Sequence, residues 1–174
     1  MFKRVLDLSF LIIGVGILLP AFIVIIFLVV LFIVIEDGRP VFYTQLRYGE
    51  NNKLFKLYKF RSMIKNAEQT TGAVWASKNN DLRLTKTGRF IRKYAIDEIP
   101  QLINIFKGDI SFVGSDIVFK EKKNPEHILK PGLVSLINLK RFKNNDRNKI
   151  NSYYIKNQSL TFDIEILLKS LFKI

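Results

Sequence analysis

The apolar and polar positions of the chain divide it into a long hydrophobic start and a mixed, basic remainder. No charged side chain occurs from Leu8 to Ile35. At about 1.5 Å for each helical residue this run would reach about 42 Å, which exceeds the roughly 30 Å of a bilayer's hydrocarbon core. The pattern therefore predicts a membrane helix within residues 1–36, followed by a second region at residues 37–174.

Pro20 lies near the middle of this predicted helix. Proline lacks the N–H that would bond to the carbonyl of Gly16, and its ring collides with that carbonyl, so we expect the helix to kink or break there. Basic residues flank both ends of the apolar run, and such flanks favour the cytoplasmic side. A helix that enters one leaflet, breaks at Pro20 and returns satisfies both facts. A kinked single-pass anchor is the alternative that the residues leave open.

Shorter patterns follow the apolar run. Val41–Gln45 and Lys53–Phe60 are typical of two strands joined by a polar turn, which predicts a small β-hairpin. Ala67–Asn80, which contains Trp75, has no steady period and is interpreted as a loop. Ile110–Val113 is a short apolar run that ends at a glycine.

Three later segments have helical patterns. Gly88–Tyr94 interleaves apolar and basic residues, as a short helix at a membrane interface does. Asp97 is predicted to be the N-cap of a helix with an apolar face that ends at Gly108. Leu160–Phe172 has one apolar face, which predicts either a second interfacial helix or a helix packed against the domain. The elements together predict an α+β fold with a Pro-broken re-entrant membrane helix, a small β-hairpin and several interfacial helices.

The charge of the chain narrows the classes of partner. The formal net charge is +13, so the basic surface needs an anionic partner: acidic lipid headgroups, phosphates of a small substrate, or nucleic acid. The membrane segment favours the first two, and no nucleic-acid-binding module is recognisable. The chain has no cysteine and one histidine, His127, which excludes disulfides, thiolate metal sites and a zinc site built from several histidines.

Asp97 and Glu98 are adjacent carboxylates in a region dense with basic residues. A carboxylate kept ionised beside cations can attack phosphorus, and two carboxylates can hold Mg²⁺ against a diphosphate. The plainer interpretation is an N-cap aspartate followed by a first-turn glutamate. Taken by itself, the pair favours the plainer interpretation.

The wider pattern changes that balance. Several motifs, in this order, closely resemble the bacterial sugar transferase family, the monotopic polyprenyl-phosphate phosphoglycosyl transferases. The motifs are Lys59–Met63, the segment Asp81–Lys93 with its Arg, Thr and Gly positions, the segment Ile96–Asn104 with its Asp-Glu pair, and Lys107–Gly114. The resemblance also includes the start of the chain, the apolar segment, the Pro131-Gly132 turn and the pair Tyr153-Tyr154, so it extends over nearly the whole length.

The resemblance implies a catalytic domain in residues 37–174. Members of the family move a phospho-sugar from a nucleotide-diphosphate sugar, such as a UDP-sugar, to polyprenyl (undecaprenyl) phosphate, and this step starts a membrane-linked glycan. By match, Asp97 is the nucleophile, Glu98 its partner, and both hold Mg²⁺. The substrate-binding residues implied by the matching motifs are Lys59, Arg61, Arg92 and Gln101. The resemblance further implies a re-entrant helix at the cytoplasmic face of the bacterial inner membrane and contact with membrane lipid. It is also compatible with a homo-oligomer.

The chain departs from the family pattern after the Asp-Glu pair. It has Gly114-Ser115-Asp116-Ile117 where the family has Gly-Pro-Arg-Pro, and Asn151 where an acid is usual. An acid in place of a phosphate-binding arginine would repel a diphosphate unless a cation such as Lys120 or Lys122 compensates for its charge. The alternative function is therefore a weakly active or inactive family member that acts as a membrane-bound glycan-assembly protein.

Overall fold

The computed structural model describes residues 2–67, 81–119, 129–139 and 146–171. Trp75, His127, Lys120 and Lys122 lie outside these residues, as does most of the predicted loop at Ala67–Asn80. The described chain forms two compact units. One comprises Met1–Leu11, Leu46–Leu57 and Ile103–Ile174, and the other comprises Ile12–Gln45 and Tyr58–Leu102. The predicted division into an anchor, residues 1–36, and a catalytic domain, residues 37–174, stays a prediction.

The first element is a long helix, α1 (Phe2–Asp37), of 36 residues with Pro20 inside it. The helical assignment is continuous through Pro20, so the helix does not break there, whereas the predicted kink and the re-entrant course stay predictions. The physical reason is that a proline removes one backbone hydrogen bond, and regular helix on both sides can carry the chain past that single gap.

Most apolar side chains of α1 are exposed. Among the described residues it is the one helix long and apolar enough to cross a membrane, and only 11% of its most apolar window is buried. Phe10, Ile17 and Phe27 are each more than half exposed. An apolar surface of this extent is typical of a membrane protein rather than of a helix in a soluble core.

The predicted β-hairpin is confirmed. Strands β1 (Phe42–Tyr48) and β2 (Leu54–Phe60) are neighbours, joined through a 3₁₀ turn at Glu50–Asn52. Asn51 and Asn52 in this turn have positive φ angles, which asparagine tolerates better than most residues.

One of the remaining strands extends the hairpin, and the other two form a separate sheet. Strand β4 (Val118–Phe119) pairs antiparallel with β1 on the side away from β2, which makes a three-stranded sheet. In a second, two-stranded sheet, β3 (Ser111–Val113) pairs in parallel with β5 (Gly132–Val134). The apolar run predicted at Ile110–Val113 therefore becomes a strand.

In the unit that contains Tyr58–Leu102, helix α2 (Lys86–Lys93) confirms the helix predicted near Gly88–Tyr94. Thr85 is its N-cap, and the Thr85 side chain accepts a hydrogen bond from the Gly88 N–H. The inner face of α2 places Ile91 in a small core with Val29, Ile33 and Phe60. This core fixes α2 against the last turns of α1.

The next helix differs from the prediction at its start. A 3₁₀ helix at Ile96–Gln101 leads directly into helix α3 (Leu102–Lys107). The N-cap is Ala95, and Asp97 lies inside the first turn, so the prediction of Asp97 as N-cap is wrong. Ala95 takes this position because the end of α2 is only two residues away and the chain turns there.

The other unit has its own core, built under β3 and β5 by the 3₁₀ helix Leu136–Asn138, helix α4 (Arg147–Asn157) and helix α5 (Leu160–Leu171). The buried members of this core are Val113, Leu136, Leu139, Ile150, Tyr154 and Ile166. Helix α5 confirms the helix predicted at Leu160–Phe172. Its buried residues are Asp163 and Ile166, whereas Leu160, Ile164 and Leu168 of the predicted apolar face are exposed.

Candidate active site

The candidate nucleophile Asp97 lies just after a sharp turn between α2 and the 3₁₀ helix. Ala95 makes this turn in the left-handed region, with φ 56° and ψ 21°. Its N–H donates to the carbonyl of Arg92 at 3.2 Å, and its carbonyl accepts from the Glu98 N–H at 3.2 Å. A non-glycine residue in this conformation costs on the order of 1 kcal/mol or more, so tertiary packing must hold it. The turn joins the last turn of α2 directly to the carboxylate pair.

Burial dominates the electrostatics of Asp97. The residue is 5% exposed. Loss of solvation raises the pKa of Asp97 from 3.8 to about 6, although the positive charges of Lys59 and Arg92 act in the opposite direction. The neighbouring Glu98 charge raises the pKa further. A poorly solvated carboxylate that is still ionised at neutral pH is suited to nucleophilic attack.

Glu98 is more exposed than Asp97 and has a direct partner. Lys59, near the end of β2, donates to Glu98 Oε1 at 2.7 Å, and the two side chains form an ion pair. Lys59 therefore lies where its charge influences both carboxylates. The structure brings together Lys59, Asp97 and Glu98, three of the residues predicted for the site.

Arg92 joins this group from the last turn of α2. Its Nε donates to Ser62 Oγ at 2.7 Å. In the part of the chain that the structure describes, its terminal nitrogens, Nη1 and Nη2, have no hydrogen bond or ion pair. Ser62 belongs to the motif Lys59–Met63 but was not predicted as a site residue, because nothing in the local pattern indicates a contact 30 positions away.

The two remaining predicted residues differ in their surroundings. Gln101, in the same 3₁₀ helix as Asp97, is 1% exposed, and its Oε1 has no hydrogen-bond partner among the described residues. Arg61 instead contacts the end of α1: its Nη2 donates to the carbonyls of Asp37 and Gly38 at 2.9 and 2.7 Å and forms an ion pair with the Asp37 carboxylate. The predicted role of Arg61 in substrate binding stays a prediction.

The Asp97 and Glu98 side chains fit a hard cation that substrate phosphates and water also bind. Within the described ranges, no three Asp, Glu, His or Cys side chains converge as a metal cluster. Asp97 and Glu98 offer carboxylate oxygens, which is the ligand type that Mg²⁺ prefers. Mg²⁺ is usually held by one or two carboxylates together with substrate phosphates and water, so this pair meets the requirement.

In the other unit, Asp116, which departs from the family pattern, forms an ion pair with Arg147. Asp116 Oδ2 accepts from Arg147 Nη1 at 2.6 Å, and the Asp116 N–H donates to Asn151 Oδ1 at 2.8 Å. Burial raises the pKa of Asp116, and the Arg147 charge lowers it. Arg147 therefore supplies a compensating cation, which no sequence signal indicated because it lies 31 positions away. A contribution from Lys120 or Lys122 stays a prediction, since both lie outside the described residues. Asp116 and Asn151, two residues that depart from the family pattern, are hydrogen-bonded to each other.

Substituting Asp97 is expected to stabilise the folded protein at neutral pH. Because the folded pKa of Asp97 lies above 3.8, its contribution to stability is present at low pH and is lost as the pH rises through about 6. At 1.36 kcal/mol for each pKa unit, the ionised carboxylate costs about 3 kcal/mol. Asp97→Asn should therefore raise the midpoint of thermal unfolding and the free energy of unfolding at pH 8. The gain in free energy of unfolding should shrink to below about 1 kcal/mol at pH 4. A variant less stable than the native protein at pH 8 would contradict this assignment of burial.

Several known proteins are similar in sequence to this chain. The family model described as "Bacterial sugar transferase" matches residues 1–174. A Bacillus subtilis protein provisionally named undecaprenyl-phosphate N-acetylgalactosaminyl 1-phosphate transferase is 50% identical over 112 residues, which are 64% of this chain and 59% of that protein.

Two further relatives have related names. The undecaprenyl-phosphate galactose phosphotransferase of Salmonella typhimurium is 37% identical over 79% of this chain and 34% of its own length. The UDP-N-acetylgalactosamine-undecaprenyl-phosphate N-acetylgalactosaminephosphotransferase of Aeromonas hydrophila is 38% identical over 79% of this chain and 36% of its own length. The chain thus spans between about a third and three fifths of these three relatives. Because a family model matches it along its whole length, the chain belongs to the bacterial sugar transferase family.

Proposed function

We propose that this protein transfers a sugar 1-phosphate from a nucleotide-diphosphate sugar, a UDP-sugar, to undecaprenyl phosphate and so initiates a membrane-linked glycan. The names of its relatives support this reaction class, since they pair undecaprenyl phosphate with sugar phosphotransferase activity. The observation that carries the proposal is the buried Asp97 carboxylate, with its pKa raised to about 6 beside Lys59 and Arg92.

The reaction has two displacements at one phosphorus. In the first, an Asp97 oxygen attacks the sugar-bearing phosphorus, the bond to the bridging diphosphate oxygen breaks, and the nucleoside monophosphate leaves with that electron pair. In the second, a phosphate oxygen of the polyprenyl acceptor attacks the same phosphorus and releases the Asp97 carboxylate. Lys59 and Arg92 stabilise the negative charge that develops on the phosphoryl oxygens.

We propose Mg²⁺ as the cofactor, with Asp97 and Glu98 as the residues that would hold it. When bound, it would neutralise charge on the diphosphate and assist departure of the monophosphate. Glu98 already has Lys59 as a partner at 2.7 Å, so its carboxylate is held in place beside the nucleophile. Gln101, with its buried and unpartnered Oε1, can accept a hydrogen bond from an internal water, and its predicted role in substrate binding stays a prediction.

We also propose that α1 bends at Pro20, so that both of its ends lie at the cytoplasmic face of the bacterial inner membrane. The first turn is bound by protein: Lys3 Nζ donates to Asp163 at 2.6 Å and to Tyr154 at 3.0 Å. The last turn is bound as well, because Glu36 accepts hydrogen bonds from the backbone N–H groups of Lys86 and Thr87 at 2.6 and 2.8 Å. Such polar contacts do not persist in hydrocarbon, so each end of the helix belongs in the aqueous or headgroup region.

The exposed apolar side chains of other helices support contact with lipid. Phe90 on α2 is 58% exposed and Tyr94, the C-cap of this helix, is 56% exposed, and each follows a basic residue in the sequence. On α5, the exposed large apolar residues lie one turn apart; they are Leu160, Ile164 and Leu168. Large apolar side chains beside cations are typical of helices at a membrane interface. A homo-oligomer stays a prediction.

Labelling with cysteine tests the topology, since the native chain has none. In single-cysteine variants Phe2→Cys and Arg39→Cys, a membrane-impermeant thiol reagent should label neither site in intact cells and both sites in inside-out vesicles. Arg39 is exposed, whereas its neighbour Gly38 has a φ of 66° that a cysteine would adopt only with strain. Labelling of one site from outside and the other from inside would establish a spanning helix instead.

A donor screen tests the reaction. Purified protein with undecaprenyl phosphate and Mg²⁺ is offered a panel of UDP-sugars, and release of UMP is measured for each. We expect release with at least one donor, dependent on the acceptor for multiple turnovers. No release from any donor, by protein shown to be folded, would favour the alternative function as a membrane-bound glycan-assembly protein.

A further inference from the structure

Ser62 occupies a tightly fixed position immediately after β2. The residue is 5% exposed. Its carbonyl accepts a hydrogen bond from the Thr85 N–H at 3.2 Å. A Cβ added at Gly88 would come within 1.8 Å of the same carbonyl oxygen, so the first turn of α2 packs directly on the Ser62 backbone. The position of Ser62 is therefore set by the start of α2.

The Ser62 side chain reaches the end of the same helix. Its Oγ accepts from Arg92 Nε at 2.7 Å. A bond at Nε restrains rotation of the planar guanidinium and leaves the two terminal nitrogens as a fork that matches two phosphate oxygens. Those nitrogens have no other partner in the ranges 2–67, 81–119, 129–139 and 146–171, and the Arg92 charge acts on Asp97.

We propose that Ser62 is a positioning residue for the reaction: its hydroxyl orients the Arg92 guanidinium so that both terminal nitrogens bind the diphosphate of the donor. This inference rests on the proposed function, in which Arg92 contacts the donor. Ser62 itself acts through Arg92 and does not touch the substrate. A serine is suited to this role because its hydroxyl can accept from Nε and is too short to compete for the terminal nitrogens.

The test compares Ser62→Ala with a variant that loses an equally buried serine hydroxyl elsewhere in the chain. Ser135 is also 5% exposed, and its hydroxyl donates to Asn138 Oδ1 at 2.9 Å. With the UDP-sugar identified by the donor screen, Ser62→Ala should raise the KM for the donor about ten-fold. Ser135→Ala, which removes an N-cap hydroxyl, should lower the midpoint of thermal unfolding and leave that KM unchanged.

A double-mutant cycle with Arg92→Lys separates positioning from stability. Lysine has no planar guanidinium for the Ser62 hydroxyl to orient. Ser62→Ala should therefore reduce kcat/KM about ten-fold in the native background and have little effect in the Arg92→Lys background. Ser62→Thr, which keeps the hydroxyl, should restore most of the loss.

Four outcomes would overturn part of this account. Equal effects of Ser62→Ala in both backgrounds, or a Ser62→Ala variant that only unfolds earlier, would show a structural role and reject the inference. A fully active Ser62→Ala together with an inactive Arg92→Ala would also reject it, yet leave the proposed function intact. An Arg92→Ala variant with native kinetics would instead reject the contact between Arg92 and the donor on which the proposed function relies.

Discussion

Asp97→Asn is expected to abolish both turnover and the covalent adduct. Asparagine has nearly the same shape as aspartate but lacks the anionic oxygen that attacks phosphorus, so kcat should fall at least about a thousand-fold. Native protein mixed with a UDP-sugar and no acceptor should gain the mass of one phospho-sugar, and the gain should map to Asp97. Intact-protein mass spectrometry detects the adduct, and the UMP release assay measures turnover. Because the pKa of Asp97 is raised to about 6, native kcat/KM should also decline as the pH falls below about 6.

Asp81→Asn is the matched control for this substitution. Asp81 is another buried carboxylate of the same unit, 8% exposed, and it forms an ion pair with Arg83 at 2.6 Å. Its replacement should leave the adduct on Asp97. Native turnover by Asp97→Asn, or an adduct that maps elsewhere, would mean that the nucleophile has been assigned to the wrong residue.

Arg92→Ala is expected to reduce kcat/KM about a hundred-fold, and Arg92→Lys to recover only a small part of that loss. The alanine variant removes two donors that would stabilise charge on the phosphoryl oxygens, a type of contact worth about 10² to 10³ in rate. Lysine retains the charge but presents a single ammonium in place of a planar fork. Steady-state kinetics with the donor from the screen measures both effects.

Arg89→Ala provides the control on the same helix. Arg89 is exposed on α2, and its charge is not among the largest influences on the pKa of Asp97. We expect its removal to change donor kinetics little, apart from weaker binding to acidic lipid. If Arg89→Ala and Arg92→Ala are equally impaired, the basic surface of α2 acts as a whole and no specific contact by Arg92 is needed.

Asp116, an acid where the family pattern has arginine, affects the activity expected of the native protein. An unpaired acid at this position would repel a donor diphosphate, but Asp116 is bound to Arg147 at 2.6 Å and to Asn151 through its backbone. The charge is thus compensated within its own unit. The expectation that Asp116 weakens activity loses its main physical support, and the donor screen decides the matter.

Periodicity and turn chemistry identified the elements but not all of their ends. The apolar run, the hairpin, α2 and α5 follow from patterns within single segments, because each depends on local hydrogen bonds and on which positions are apolar. The helix start at Asp97 was mispredicted for a tertiary reason. Aspartate is a good N-cap in isolation, yet the left-handed turn at Ala95, required by the packing of α2, moved the cap two residues earlier. The continuity of α1 through Pro20 was also not deducible from a local rule.

The sequence by itself determined the long apolar helix and the family, and it predicted the carboxylate pair, since these depend on composition and on motifs within short stretches. Only the tertiary structure decided how those residues act. The ion pair of Lys59 with Glu98, the bond from Arg92 to Ser62 and the pairing of Arg147 with Asp116 join positions 39, 30 and 31 residues apart. The raised pKa of Asp97 likewise comes from burial. Burial and contacts at such separations are set by the packing of whole elements, so no local pattern encodes them.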